Sequence, residues 1–242
     1  MKDSISHRFF HAACLVMALC FVESPAYAQV ADSAEFAVGV YGTGAGPQGD
    51  FGDVIDDAMP GIDVQGRYLI PETPFSIGLE AGYLHYGNEH RNAAISETIP
   101  DVRVRVNRNN QILRAGLVLR YEQPFGKVTP HVEGMVGLNH LWTSTNVDDR
   151  YTLIPSVTST TLRDTAFAGG VGGGLMVDIY RDDDEGYSVA VDTAIRYTSG
   201  GEATYLTKGD VTIDDQNVVH LNRHTTRTDL MDVRIGVVVR FK

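Results

Sequence analysis

Cysteine is scarce in this 242-residue chain: Cys14 and Cys20 are its only two. The rest of the chain therefore has no disulfide framework and no thiolate for metal binding or catalysis. Basic residues are also few. Lys and Arg number 20 against 31 Asp and Glu, a formal net charge of −11. That balance excludes the basic footprint of a nucleic-acid binder. Long apolar runs are nearly absent. Phe9 to Val22 is the one apolar stretch of any length, and it falls short of the roughly 20 residues that a spanning helix needs. No later segment carries a sustained 3.6-residue period, which argues against a helical bundle.

What is present begins with an export signal. Lys2 and Arg8 form a basic region, Phe9 to Val22 an apolar one, and Ala26-Tyr27-Ala28 a small-x-small cleavage site. Residues 1–28 thus read as a signal peptide that is cleaved, leaving a single domain over 29–242.

The dominant pattern is a period of two. In the last stretch, Met231, Val233, Ile235, Val237, Val239 and Phe241 alternate with Asp232, Arg234, Gly236, Val238, Arg240 and Lys242. A strand sends these two sets to opposite faces. The same rhythm predicts seven earlier strands, near residues 35–43, 61–70, 75–87, 111–123, 128–144, 164–180 and 187–199. Their connections alternate long, short, long, short, long, short, long. The short ones are Pro71–Pro74, Pro124–Lys127 and Arg181–Gly186. An all-β, eight-stranded antiparallel up-and-down transmembrane β-barrel has this layout, with short periplasmic turns and long extracellular loops. A soluble sandwich has Greek-key crossings and no such asymmetry.

Aromatic placement adds a second sign. On the apolar face, Phe36, Tyr68, Phe75, Tyr121, Tyr187 and Phe241 are expected near the short-turn rim. Tyr83, Trp142, Phe167 and Tyr197 are expected near the long-loop rim. Two such girdles mark the interfaces of membrane barrels. The assigned lipid-facing centres carry no charge, in keeping with the cost of about 2–4 kcal/mol for Arg or Lys at the midplane.

On this architecture and its aromatic-ended last strand, the chain resembles the small OmpA/OmpX-type outer-membrane β-barrels, over nearly all of Glu35–Lys242. It departs from them in having Lys242 after the aromatic Phe241. The resemblance implies a monomer in the outer membrane of a Gram-negative-type bacterium. Its partners would be outer-membrane lipid, lipopolysaccharide and the barrel-assembly machinery, with a further extracellular ligand open through the loops.

The opposite face carries Glu35, Asp63, Arg67, Glu80, Arg114, Arg120, Glu122, Glu133, Asp178, Asp192, Arg196, Asp232, Arg234 and Arg240. An eight-stranded barrel is only wide enough for side chains to fill. Acids and bases there are expected to pair into a polar plug, because unpaired buried charge is costly. The function expected is structural or surface-interactive. A narrow porin-like channel is the first alternative and a lipid A-modifying enzyme the second.

No catalytic, cofactor-binding or metal set emerges. Gly44-x-Gly46-x-x-Gly49 opens no helix and sits in no βαβ unit. Gly169–Gly174 lies within a strand, where glycine relieves crowding. Ser144 is near His140, but no hydrolase motif surrounds them. His220 and His224 are four apart in a loop without helical pattern. The remaining loop charges read as solvated, with one sharper expectation. Arg103, Arg105 and Arg108 alternate with valines, suggesting strands that project beyond the membrane, and are candidates for contact with lipopolysaccharide phosphates.

Overall fold

The computed structural model describes residues 35–96, 99–148, 157–182, 184–207, 209–213 and 219–241, without the side chains of 89–107, 145–148, 157–161, 211–213 and 219–221. The signal-peptide and domain boundaries fall outside these residues.

Eight long strands close into a barrel in the order β1-β12-β7-β6-β5-β4-β3-β2. They are β1 (Phe36–Pro47), β2 (Met59–Leu69), β3 (Phe75–Ser96), β4 (Ile99–Glu122), β5 (Val128–Asp148), β6 (Val157–Asp182), β7 (Tyr187–Gly200) and β12 (Leu230–Phe241). Every barrel pair is antiparallel. The seam runs from Phe36↔Phe241 to Pro47↔Leu230. Closure is the physical requirement here, since unpaired backbone groups cannot stand in hydrocarbon.

Three tight turns link β2–β3, β4–β5 and β6–β7. Gly126 and Gly186 take positive φ, 65° and 71°, in two of them, a conformation that costs glycine nothing. At the other rim several strands run on beyond the closed wall. β3 and β4 stay paired up to Ser96↔Ile99, as the Arg/Val alternation suggested. The β4–β5 pairing reaches Arg105↔Asp148 and the β5–β6 pairing reaches Val147↔Val157. Over this height β3 lies beyond its pairing with β2, which stops at Gly61↔Leu84, and β6 beyond its pairing with β7, which stops at Ala168↔Gly200. A sheet made of β3, β4, β5 and β6 therefore projects from the barrel.

Two expected loops prove to be structured. Residues 44–59 extend β1 and add one helical turn, α1 (Gly49–Gly52). Residues 200–229 hold two small hairpin sheets. β8 (Glu202–Tyr205) pairs with β11 (His224–Arg227), and β9 (Val211–Ile213) with β10 (Val219–Leu221). These pieces are too short to show a period in sequence, and packing on the barrel mouth stabilises them.

The outer surface is an apolar belt. Val40, Ile77, Leu117, Val136, Leu175, Ile195 and Val237 are all exposed. Near the short-turn rim, Phe36 lies 5.4 Å from Tyr68 and 6.2 Å from Phe241, ring centre to ring centre, and Phe75 lies 5.4 Å from Tyr121. Tyr187 meets Tyr180 at 5.6 Å. Strict alternation misses Tyr180, because a register shift between Asp178 and Tyr180 turns Ile179 and Tyr180 both outward. Near the other rim Tyr83 and Trp142 are 6.1 Å apart, and Phe167 and Tyr197 are exposed.

Replacing Leu117, which is exposed at mid-height of the barrel wall, by Arg is expected to cost about 2–4 kcal/mol. The same substitution at exposed Phe125 in a turn should cost under about 0.5 kcal/mol. Urea unfolding in lipid vesicles, followed through the single Trp142, measures both.

Candidate functional site

The inward faces of seven of the eight strands carry charge, and closure brings these residues together in successive layers along the lumen. Arg114, Arg120, Arg196 and Arg234 are each at most 1 % exposed, so their partners must come from within the lumen. Toward the long-loop rim, the Arg114 guanidinium bridges two carboxylates. It donates to Asp232 Oδ2 at 2.6 Å and to Asp63 Oδ1 at 2.8 Å, and Thr43 also donates to Asp63. Next, Arg196 grips Glu80 with both terminal nitrogens, and Arg234 links Glu80 (2.8 Å) to Glu133. Arg120 then spans Glu133 (2.9 Å), Asp192 (2.8 Å) and the Gln65 side-chain oxygen (3.1 Å). Nearest the short turns, Arg67 pairs with Glu122, and Arg240 lies 3.7 Å from Glu122 and 3.8 Å from Asp178. Asp178 also accepts from Arg181 at 2.9 Å.

Thirteen of the fourteen residues expected on the inward face thus occupy one connected chain of ion pairs. Glu35 does not. β1 begins at Phe36, and Glu35 contributes backbone hydrogen bonds to Phe241 and Leu69 while its side chain is exposed at the rim. Alternation sets parity but not where a strand stops.

Tyr41 and His131 also face inward and are buried. His131 Nε2 meets Asp192 Oδ1 at 2.8 Å. The Tyr41 hydroxyl donates to Asp192 Oδ2 at 3.0 Å, and Arg234 sits 5.2 Å from the centre of the Tyr41 ring. Space for these groups comes from glycine. A Cβ on Gly82 would stand 1.8 Å from the Asp63 carboxylate, and one on Gly174 would stand 2.8 Å from the His131 ring. This is what the Gly169–Gly174 run contributes on its inward positions.

Apolar layers lie at both ends of the charges. At the long-loop end, Phe51 of α1 packs edge-on to Tyr205 of β8 at 5.0 Å, beside Tyr86, Ile55, Met59, Leu84, Ile112 and Leu230. At the other end Ala37, Tyr41, Met176, Ala190 and Val238 cluster. The first of these draws on both long connections, residues 44–59 and 200–229. Their apolar residues are sparse in sequence yet converge in the barrel mouth.

The loop carrying β8 to β11 is fastened by Asp210. Its carboxylate accepts from the Thr207 hydroxyl (2.8 Å), the Asn222 amide (3.2 Å) and Thr207 N–H, and it meets His224 Nε2 at 3.0 Å. Burial raises this carboxyl's pKa, but the Thr207 and His224 hydrogen bonds outweigh it and hold the pKa below the usual 3.8.

Other expected site residues are dispersed. Arg108 is buried and already engaged within the protein. It faces inward with Asn110 and Ile112, so a lipopolysaccharide contact at Arg108 is corrected. The side chains of Arg103 and Arg105 lie outside the described residues, as does that of His220. His140 and Ser144 stand four residues apart on one strand, about 13 Å, too far to act as base and nucleophile. His140 instead bonds Thr165 at 2.7 Å and stacks on Trp142. Among the described residues, no three His, Cys, Asp or Glu side chains are placed to hold a metal ion.

No family model and no curated protein matches this chain. Solved structures similar to it include Neisserial surface protein A (14 % identity, 86 % of this chain and 96 % of that one, TM-score 0.44). Ail of Yersinia pestis gives 12 % identity over 86 % and 98 %, with TM-score 0.36. The N-terminal barrel domain of Pseudomonas aeruginosa OprF gives 12 % over 86 % and 99 %, with TM-score 0.33. The closed barrel, apolar outside and charged within, is the fold of a transmembrane β-barrel. More narrowly, it is an eight-stranded antiparallel up-and-down barrel with short turns at one rim and long connections at the other.

Two outcomes follow. Arg114→Met leaves Asp63 and Asp232 buried without their shared cation, and is expected to cost about 3–5 kcal/mol. Arg227→Met, at an exposed ion pair, should cost at most about 1 kcal/mol. Vesicle unfolding monitored by Trp142 compares them. For Asp210, the folded pKa lies below the unfolded one. Its contribution is therefore complete above the unfolded value and is lost as pH falls through the folded value. Hydrogen exchange at Thr207 and Asn222 should accelerate below about pH 3.8, and Asp210→Asn should remove that step.

Proposed function

We propose that the protein is a non-conducting outer-membrane barrel that anchors a rigid surface assembly for contact with the exterior. Export through the cleaved signal peptide and insertion by the barrel-assembly machinery bring it there as a monomer, and it acts without catalysis. The observation that carries this reading is the burial of four guanidiniums at the centre of the lumen, each bonded to carboxylates. A conducting pore needs a continuous water path, and such a path would solvate at least some of these groups. The projecting β3–β6 sheet and the β8–β11 hairpins, set on an apolar cap, favour the surface role. They present paired strands at the long-loop end.

In planar bilayers the purified protein should give no steady open current at either polarity. A stable, reproducible conductance step would overturn the proposal and favour the narrow-channel alternative. Lipid A recovered from cells with and without the protein should have the same mass, and a new lipid A species would instead support a lipid-modifying enzyme.

A further inference from the structure

Among the described residues, the outer wall has an open, shallow recess where β7 ends. β7 pairs with β6 only as far as Ala168↔Gly200. There Gly201 N–H donates to Phe167 O at 2.7 Å and the chain passes into β8, whose Thr204 N–H donates to Asp164 Oδ2 at 2.7 Å, while β6 continues upward paired in register with β5 only. The departure leaves a groove of about 730 Å³ on the outside of the barrel, within the ~300–1,000 Å³ range of small-molecule sites. Its walls are Val136, Leu138 and Phe167, its floor includes Gly169, and Glu202 and Arg227 stand at its loop end. Phe167 is 81 % exposed, the most exposed large apolar side chain among the described residues. Gly169 faces outward with Val136 and Ser199 beside it in register. Where outward Val136, Leu138, Phe167 and Val171 around it carry large side chains, this position carries none, and a Cβ there would come no closer than 3.8 Å to another atom.

We infer that this groove binds one acyl chain of a phosphorylated glycolipid of the outer leaflet, with the headgroup held by Arg227 and Glu202. The groove is continuous with the lipid-facing belt and lies at the level of the Phe167 and Tyr197 girdle, so hydrocarbon covers it rather than water or protein. Its loop end is polar. The Arg227 side chain is 56 % exposed, donates to Ser199 Oγ at 2.5 Å and lies 3.6 Å from Asp229. A guanidinium in that position suits a phosphate. Glu202, exposed and opposite Arg227 in the β8–β11 register, accepts hydrogen bonds only. A sugar phosphate offers both the acceptor that Arg227 needs and the hydroxyl donors that Glu202 needs. The inference depends on the outer-membrane placement proposed above but not on whether the lumen conducts.

The test uses the full-length mature protein in phosphatidylcholine nanodiscs doped with lipopolysaccharide, phosphatidylglycerol or phosphatidylethanolamine. Native mass spectrometry after release counts the retained lipid. One lipopolysaccharide per barrel is expected to survive. Gly169→Leu fills the recess and should cut retention at least tenfold. Arg227→Gln should cut it several-fold. Gly66→Leu, on the distant strand β2 where an added Cβ meets nothing within 4 Å, should leave it unchanged and reports on folding. The inference is overturned if the unmodified protein retains no lipopolysaccharide, if Gly169→Leu retains as much as the unmodified protein, or if one of the phospholipids is retained in preference. Bilayer conductance is read separately, so a current would defeat the proposed non-conducting role and leave this result standing.

Discussion

A backbone amide or carbonyl facing hydrocarbon has no water to bond, and every other feature of this chain answers to that constraint. Strands satisfy it only if the sheet has no edge. The chain meets it by pairing its last strand with its first, Phe36 against Phe241 and onward to Pro47 against Leu230. Once eight strands are closed, the interior is narrow. Each inward side chain then touches side chains from across the barrel, and the alternation that sends valine outward sends charge inward. The ion-pair chain is a consequence of closure. Glu80 and Arg234 are 154 residues apart yet hydrogen-bonded.

Burial then dictates how those charges are arranged. A lone guanidinium in the lumen would be very unfavourable, so Arg114, Arg120, Arg196 and Arg234 each take two or more carboxylate contacts, and most of the carboxylates are shared between arginines. Glu133 serves both Arg120 and Arg234, and Asp192 serves Arg120, His131 and Tyr41. Sharing makes the network interdependent. It also specifies register, since a one-residue slip of any strand would turn its charges into lipid. Such a core holds the barrel rigid and leaves the variable chemistry to the long-loop end. There the constraint relaxes, and strands, hairpins and an apolar cap can build a surface. The recess beside Phe167 lies where the two regimes meet, at the point where β7 leaves the wall.

The sequence by itself determined the barrel. A period of two is a property of single strands, and alternating short and long connections are a property of chain order, so both can be seen without contacts. The same holds for the side each residue faces. Arg114, Asp192 and Arg234 could be set inside, and Leu117 and Val237 outside, because parity needs only counting. Counting fails where the backbone breaks step, as at the Asp178–Tyr180 shift, or where a strand ends, as at Glu35.

Only the tertiary structure decided which charges meet, since partners in a closed barrel come from strands far apart in sequence and their pairing depends on register and shear. It alone showed that Phe51, Ile55 and Tyr205 gather into one cap, because apolar residues scattered through two loops leave no periodic trace. It alone showed Arg108 buried and engaged within the protein. And it opened the groove at Gly169, a void made by one strand's departure that no residue pattern encodes.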